Sequence, residues 1–396
     1  MNYRAWVFGI AVLFSIASAR AQSVDVDIPR KQLELGVFAL KKGAEQSVNV
    51  TVSPLSIHSA LMLLRLGARG AVAQEIDEKL LSAPFSSEVQ GLYTNLISQM
   101  NLSSEMVTST LANAVWLQSG LPFQKGYVAD SQRIFASEPQ HVDFGEPESA
   151  RGAINRWVSS KTHGLVSHLL PAGSLSRSST CVLVNALYFK SAWLHAFDSK
   201  ATREGDFWNT PSSASKVPMM SSSKSLGYFE DGAWQGVQLR YQGLDFMFVV
   251  LVPKEKRSVG GVVRDLTPEL FTRAIVDARV REVELTLPRF KARFSMDLME
   301  QLKVYGLNHL ERGDYSGISP RNVSRVSGVL HEAVVSVDEI GTEPAAATAI
   351  TMVGGAMVEP DHEGPTKVTV DRPFAFALVQ RSSTAPLFVG VVGDPR

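Results

Sequence analysis

Apolar and polar positions along this chain follow two different periods, which predicts a mixture of helices and strands. Apolar residues recur at helical spacing over residues 30–42 and again around Ile154, so we expect a helix at each place. Residues 111–117 and 182–193 are almost continuously apolar. Runs of this kind predict strands that are buried on both faces.

The second half of the chain is richer in strand patterns. Residues 283–287 are a predicted strand, and residues 221–224 and 253–257 are predicted surface loops. Two closing apolar runs, residues 367–380 and 386–392, predict a terminal hairpin.

Residues 331–351 change character abruptly. Val335 and Val337 alternate with more polar neighbours as in a strand, and Gly341 then permits a bend. Residues 342–349 (TEPAAATA) are nearly all small, so they contribute little packing energy of their own. Taken alone, such a run indicates an Ala-rich loop or a poor helix. It could also enter a narrow slot between strands without steric conflict.

Several polar side chains fall inside segments that should be buried. Residues 49–66 predict a short strand, a turn at Ser53-Pro54 and then a helix that is apolar nearly all round. A helix of this kind is buried, so the hydroxyl groups of Ser53 and Ser56 at its start require hydrogen-bond partners. Asn185 lies in a predicted buried strand and has the same requirement.

The composition is that of an ordinary globular protein. The chain has 396 residues, of which 45% are hydrophobic and 20% are charged, enough for a large core. Length alone suggests two or three domains, but no repeat or low-complexity linker marks a boundary, so one large domain over residues 22–396 is also possible. The 39 basic and 39 acidic residues balance. This balance does not favour a nucleic-acid or anionic-membrane partner.

Residues 1–21 have the pattern of a secretory leader. Arg4 precedes an apolar core, residues 5–16, that is too short to span a bilayer. Small residues follow, and we predict cleavage after Ala21 or, alternatively, after Ala19. We expect a secreted, extracellular protein; a retained membrane anchor is the alternative.

Cys181 is the only cysteine, so no disulfide can form within the chain. Its apolar neighbours predict a buried, inert thiol, and a reactive or intermolecular thiol is the alternative. Of three Asn-x-Ser/Thr sequences, we predict glycans at Asn101 and Asn322, which lie in polar contexts.

The sequence contains no recognisable enzyme motif. It has no G-x-S-x-G turn, no H-E-x-x-H and no C-x-x-C pair, so it indicates neither a hydrolase nucleophile nor a zinc site. His163 and His168 are five residues apart, a spacing that does not bring them together on a helix. We therefore expect no enzymatic activity, no cofactor and no metal.

Five separated motifs resemble those of the serpins, a family of serine protease inhibitors. In chain order they are N-x-x-x-S-P-x-S-I with L-G-A-R-G at residues 49–70, I-N-x-W-V at 154–158, L-V-N-A-L-Y-F-K-x-x-W at 183–193, E-x-G-T-E-x-A-A-A-T-A at 339–349, and D-R-P-F-x-F with P-L-F-x-G at 371–390. The resemblance covers nearly the whole mature chain. It implies a mixed α/β (α+β) serpin fold with three β-sheets, eight or nine helices and an exposed reactive-centre loop at about residues 340–366.

The resemblance also assigns roles to individual residues. The hinge at the start of the loop comprises Glu339, Gly341, Thr342, Glu343, Pro344, Ala345, Ala346, Ala347 and Thr348. The shutter, a buried polar cluster beneath the point where the sheet parts, comprises Ser53, Ser56, Asn185 and His331. The breach at the top of the sheet comprises Trp193, Arg289 and Glu339, with a salt bridge between the last two. Asn49 matches a position that is buried in the family, so no glycan is expected there.

The implied function is that of a protease substrate that becomes a trap. A serine protease attacks the loop and forms an acyl-enzyme, and the freed hinge inserts into the main sheet with alternate residues facing inward. The inward residues are Thr342, Pro344, Ala346 and Thr348. A dozen inserted residues gain on the order of 10 kcal/mol at about 1 kcal/mol per hydrogen bond. That gain rivals the whole stability of a domain.

The position of the scissile bond follows from the family spacing. It falls between Gly355 and Ala356, and the alternatives are Met352, Val353 and Met357. No Lys or Arg lies between Glu339 and Lys367, so an elastase-like or chymotrypsin-like target is favoured over one that requires a basic residue. Residues 74–90 lack a basic cluster, so a heparin-like activator is not indicated, and a monomer is expected.

Pro344 departs from the family pattern, because inhibitory members usually have a small residue other than proline there. Proline cannot donate to a β-ladder, a loss of about 1–3 kcal/mol that is too small to cancel insertion. It lies near the start of insertion, so we predict that more of the loop is cut as plain substrate. The alternative function is that of a non-inhibitory serpin, such as a ligand carrier, storage protein or chaperone.

Overall fold

The computed structural model describes residues 26–321, 325–342 and 364–396. Within these ranges there are nine α-helices, sixteen strands and one short 3₁₀ turn at Ser199–Ala201. The helices are α1 Ile28–Gly43, α2 Pro54–Gly67, α3 Gly70–Leu80, α4 Ser87–Met100, α5 Lys125–Phe135, α6 Pro147–Lys161, α7 Val259–Asp265, α8 Pro268–Val276 and α9 Met299–Tyr305. The strands are β1 Asn49–Val52, β2 Leu102–Ser103, β3 Val107–Gln118, β4 Gln140–Val142, β5 Cys181–Ala192, β6 Arg203–Thr210, β7 Ser213–Glu230, β8 Trp234–Arg240, β9 Phe246–Pro253, β10 Arg279–Pro288, β11 Phe290–Asp297, β12 Gly328–Val337, β13 Gly341–Thr342, β14 Thr366–Thr369, β15 Phe374–Gln380 and β16 Pro386–Val392.

The described strands form two continuously hydrogen-bonded sheets. The smaller, which we call the main sheet, has seven strands in the order β11-β12-β13-β5-β3-β2, with β4 also paired to β3. The larger has nine strands in the order β1-β16-β15-β9-β8-β7-β10-β14, with β6 also on β7. Its two parts share the long strand β7, which pairs with β6 and β10 along most of its length and with β8 near its end. Counted with the main sheet, these two parts give the three predicted sheets.

Helix α2 lies in the core and packs against β3, β5 and β16. Pro54 occupies its first turn, and the backbone N–H of Ser56 donates to Ser53 Oγ at 3.1 Å as an N-cap. Nearly every side chain of the helix is buried, as its apolar sequence predicts. The helix therefore holds Ser53 and Ser56 against the inner face of the main sheet.

Most of the predicted elements are confirmed. The first helix, the strand–turn–helix at residues 49–66 and the two long buried strands appear as α1, β1–α2, β3 and β5. The terminal hairpin is β15–β16, although residues 366–369 form a separate strand, β14, on β10. Cys181 is buried, as predicted, and burial raises the pKa of its thiol to about 12, a direction that disfavours the reactive thiolate.

The predicted loop at residues 221–224 is wrong, because these residues lie within β7. Ser221 and Lys224 pair with Thr286 and Val283 of β10. Serine has little strand propensity of its own, so the partner strand decides the local structure here. The loop after residue 253 is confirmed.

Candidate functional site

The main sheet contains a fork between its two central strands. β5 and β12 are parallel and paired at their lower ends, where residues 182–186 face residues 328–332. Above that point β5 continues through residues 187–190 and β12 through residues 333–336, with no ladder between them among the described residues. At the top, β13 lies between the two strands and pairs with both. The fork is thus closed at both ends and is one strand wide.

Gly341 and Thr342 form the top closure. A Cβ atom on Gly341 would lie 2.1 Å from the carbonyl oxygen of Ser191, so only glycine fits against β5. The hydroxyl groups of Thr342 and Tyr241 are 2.5 Å apart and both are buried. Tyr241 in turn stacks on Trp193, with ring centroids 4.5 Å apart. The described part of the predicted hinge is therefore anchored in the core.

The three predicted breach residues lie together above the fork. Arg289 donates from Nε and Nη2 to Oε1 of Glu339, at 2.8 and 2.5 Å, and the Thr202 hydroxyl donates to the same oxygen. Burial alone would raise the pKa of Glu339, but the bonds from Arg289 and Thr202 lower it overall. Trp193 Nε1 donates to the carbonyl of Asp338 at 2.9 Å. The carboxylate thus stays charged at neutral pH and ties β11 to the start of the loop.

The four predicted shutter residues form one buried network at the lower end of the fork. The N–H of Ser53 donates to His331 Nε2 at 3.1 Å, and His331 Nδ1 donates to Asn185 Oδ1 at 2.7 Å. The hydroxyl of Ser56 donates to the same Asn185 oxygen at 3.1 Å. Burial lowers the pKa of His331 to about 3, so its ring is neutral, with the proton on Nδ1.

Asn113 belongs beside this network, and the sequence prediction missed it. Its Cα lies directly opposite that of Asn185 on the neighbouring strand, and its side chain is 4% exposed. Both polar atoms of Asn113 and the Nδ2 of Asn185 lack a partner among the described residues. The available signal was the same as for Asn185, namely an amide inside a continuously apolar strand.

Comparison with known proteins decides what this arrangement is. A family model described as "Serpin (serine protease inhibitor)" matches residues 31–395. The chain is a serpin.

Its relatives among curated proteins agree with this assignment. Serpin B3 of Homo sapiens is 31% identical over 369 residues, covering 88% of this chain and 94% of the relative. Leukocyte elastase inhibitor of Bos taurus is 32% identical, covering 88% and 93%. Iripin-2 of Ixodes ricinus is 34% identical, covering 89% of each.

Solved structures also share the serpin fold. Thyroxine-binding globulin in complex with thyroxine matches with a TM-score of 0.80 at 25% identity, over 93% of this chain and 99% of that one. Uncleaved ovalbumin matches with a TM-score of 0.82 at 22% identity, over 93% and 100%. The predicted serpin fold is confirmed, and serpins in general inhibit proteases rather than catalyse reactions.

Several predicted positions of this serpin lie outside the described residues. They are the leader, residues 343–348 of the hinge, the residues around the scissile bond, and Asn322. In the described ranges, no helix is both long and apolar enough to cross a membrane.

The two described glycosylation sequences differ in their surroundings. Asn101 is exposed, and its Oδ1 accepts from the N–H of Leu111 at 2.8 Å. Asn49 instead uses its amide nitrogen to donate to the carbonyl of Asp394 at 2.6 Å. Asn49 is half-buried, and the expectation that it carries no glycan stays a prediction.

Proposed function

We propose that this serpin is a secreted inhibitor of serine proteases that acts as a suicide substrate. The observation that carries the proposal is the fork, which is one strand wide and already holds Gly341 and Thr342 at its top. A loop freed by cleavage would continue from Thr342 down the fork as a central strand. The target would remain attached as an acyl-enzyme, in a covalent complex with one inhibitor chain.

The register of β13 indicates where each hinge residue would lie after insertion. Thr342 is paired with Ser191 of β5 and with Val337 of β12, antiparallel to both. Continuing that register would place Glu343 beside Lys190, and Thr348 between Asn185 and His331. Inward and outward residues alternate in a strand. Because Thr342 faces the core, Pro344, Ala346 and Thr348 would also face inward, as the sequence pattern predicts.

Insertion would therefore change the shutter network. The bond between His331 and Asn185 would have to break as a strand came between them, and the Thr348 hydroxyl would arrive at the same level. Asn185 Nδ2 and both polar atoms of Asn113 have no partner among the described residues. They offer donors and an acceptor to that hydroxyl, so the network could be satisfied again in the inserted state.

The target would be an elastase-like or chymotrypsin-like protease. Neither Lys nor Arg occurs between Glu339 and Lys367, which removes the side chain that a trypsin-like pocket requires. The relative from Bos taurus, an inhibitor of leukocyte elastase by its name, supports the same class.

The proposal is tested by mixing the mature chain separately with elastase, chymotrypsin and trypsin. We expect a complex that survives denaturing electrophoresis with elastase or chymotrypsin, and none with trypsin. Mass spectrometry of the released C-terminal peptide identifies the scissile bond, expected between Gly355 and Ala356. Clean cleavage by all three enzymes without any complex would contradict the inhibitor proposal and favour the non-inhibitory alternative.

Thermal stability separates the two alternatives independently of the target. If cleavage within the loop allows insertion, the melting temperature should rise sharply, since on the order of 10 kcal/mol of strand hydrogen bonding is added. An unchanged melting temperature after cleavage would indicate a serpin that does not insert its loop.

A further inference from the structure

Residues 163–165, which we call the strap, cross the outer face of the main sheet at the fork. The ring of His163 packs on Tyr188 of β5, with ring centroids 4.6 Å apart. Two residues later, the carbonyl of Leu165 accepts from Arg293 Nη2 of β11 at 3.0 Å. The strap therefore contacts one side of the fork through His163 and the other side through Leu165.

These contacts lie directly above the last paired residues of the fork. The pairing of β5 with β12 ends at Ala186 and Glu332. The same register puts Tyr188 level with Val334, and Val334 is paired with Arg293. Tyr188, Val334 and Arg293 thus form one row across the sheet, and the strap covers this row where the two strands separate.

Arg293 uses its guanidinium to hold two groups at once. Its Nε donates to Glu332 Oε1 at 2.6 Å, and Glu332 is only 5% exposed. Its Nη2 is directed to Leu165. Arg293 and Glu332 belong to the neighbouring paired strands β11 and β12, so they move as one unit. The bond to Leu165, in contrast, joins this unit to the segment that follows α6.

The segment that follows α6 is fixed to that helix, and α6 packs on β3 and β5 on the other side of the fork. Asn155 of α6 donates to the carbonyl of Leu170 at 3.0 Å and accepts from its N–H at 2.9 Å. Val166 and Leu170 share an apolar cluster with Val184 of β5 and with Val334 of β12. If β11 and β12 move away from β5 by one strand spacing of about 4.8 Å, the bond from Arg293 to Leu165 must break, as must the bond from His331 to Asn185 in the shutter.

We propose that Arg293 is a positioning residue that ties the strap across the fork and slows strand insertion. This inference rests on the proposed function, because it assumes that a strand enters between β5 and β12. Glu332 orients the guanidinium, and the carbonyl of Leu165 is the group that is released. The strap then acts as a brake that keeps the uncleaved form from opening before a protease has cut the loop.

The first variant is Arg293→Lys. Lysine keeps a cation for Glu332 but lacks the planar guanidinium group that donates to two acceptors at once. The matched control is Lys291→Ala on the same strand and the same exposed face. A second variant, Arg293→Gln with Glu332→Gln, removes both charges of this pair at once and leaves no unpaired carboxylate at the buried position 332. The test then does not depend on the folding of a single variant. His163→Ala releases the other end of the strap.

Two measurements apply to each variant in the uncleaved full chain. The first is the rate at which an acetylated peptide with the sequence of residues 342–353 binds in the fork. This rate is measured from the appearance of a form with a higher melting temperature. The second is hydrogen exchange of the amides of the strap and of residues 187–190. We expect annealing and exchange about tenfold faster in the Arg293 and His163 variants and unchanged in Lys291→Ala.

Equal rates in the wild-type chain, the Arg293 variants and Lys291→Ala would overturn the role of the strap while leaving insertion intact. The proposed function itself would be overturned if the peptide annealed to none of the variants and loop cleavage did not raise the melting temperature. A brake on insertion would then have nothing to act on.

Discussion

His331 and Asn185 join the two strands that must separate when a strand inserts. His331 Nδ1 donates to Asn185 Oδ1 at 2.7 Å, while His331 Nε2 accepts from the N–H of Ser53. The bond from Ser53 exists only while the ring is neutral, because a protonated ring has two donors and no acceptor. Protonation would place a hydrogen on Nε2 that faces the N–H of Ser53, and two donors repel each other. The pairing at the lower end of the fork should therefore depend on pH.

We expect the free energy of unfolding to fall as pH decreases below 6.5. Burial lowers the pKa of His331 from 6.5 to about 3, so between these values the unfolded chain binds a proton that the folded chain does not. Stability from this residue is fully present above pH 6.5 and declines by about 1.4 kcal/mol per pH unit in that window. His58, whose pKa burial lowers to about 4, adds a decline of the same sign.

Urea unfolding of the wild-type chain and of His331→Gln between pH 7 and pH 5 measures this dependence. The variant should be less stable at pH 7 and should show a shallower decline with falling pH. His195→Gln, at an exposed position, is the control and should keep the wild-type slope. Identical slopes in wild type and His331→Gln would contradict the assignment of a neutral buried ring.

Gly341→Ala should expel the top of the hinge from the fork. The added Cβ would meet the Ser191 carbonyl at 2.1 Å, a contact with backbone that cannot rotate away. Losing the pairing of β13 should cost about 2 kcal/mol, at about 1 kcal/mol per hydrogen bond, and should raise the amount of inhibitor consumed per protease. Gly364→Ala is the matched control at the other end of the loop, because a Cβ there meets open space. Equal unfolding curves for the two variants would show that the close approach is not required.

Pro344→Ala should lower the number of inhibitor molecules consumed per protease inactivated. The register of β13 would bring residue 344 level with Phe189 and Val335, where an inserted strand needs a ladder donor that proline lacks. Alanine restores about 1 kcal/mol of hydrogen bonding at an early step of insertion. Titration of a fixed amount of protease measures the effect, and Pro365→Ala provides a control outside the inserted segment. An unchanged stoichiometry in Pro344→Ala would refute the idea.

A glycan on Asn101 should be found when the chain is made in a secretory host. The residue is exposed, and its Nδ2 has no partner among the described residues. It lies at the rim of a cleft of about 520 Å³ beside Trp157 and Lys161. Peptide mass mapping before and after glycosidase treatment measures occupancy.

Two substitutions distinguish the glycan at Asn101 from the asparagine itself. Ser103→Ala removes the glycosylation sequence but leaves Asn101 Oδ1 to accept from the N–H of Leu111. Asn101→Gln removes both. We expect both variants to lose the glycan, and only Asn101→Gln to lose about 1 kcal/mol of stability with that bond. A glycan that persists in Ser103→Ala would mean that another residue carries it.

Sequence alone predicted the residues of the site better than their arrangement. Three of the four shutter residues were accessible because two hydroxyls at the start of a buried helix and an amide in a buried strand all need partners. His331, and the grouping of the four residues, came from the resemblance to the serpins. Asn113 met the same criterion, but nothing in the sequence says that it lies opposite Asn185. The strap was not accessible, because it depends on a backbone carbonyl, that of Leu165, which has no side-chain signature.

Local pattern also failed where a partner strand determines structure. The serine-rich part of β7 reads as a loop in isolation, yet it pairs along its length with β10. Long-range pairing of this kind overrides local propensity. The fork, likewise, follows from register between strands that are far apart in the chain.

The pairing of β1 with β16 has a consequence for how this protein is made. Asn49 bonds to the N–H of Gly393, 344 residues further along, and the two strands pair throughout β1. At about 5–20 residues per second, the ribosome needs roughly 17–70 seconds to supply that partner. For this time the surfaces of β1 and α2 that pack on β16 stay uncovered, so we expect the nascent chain to need chaperones. Substitutions in the last strand should therefore reduce the yield of folded protein more than the equilibrium stability.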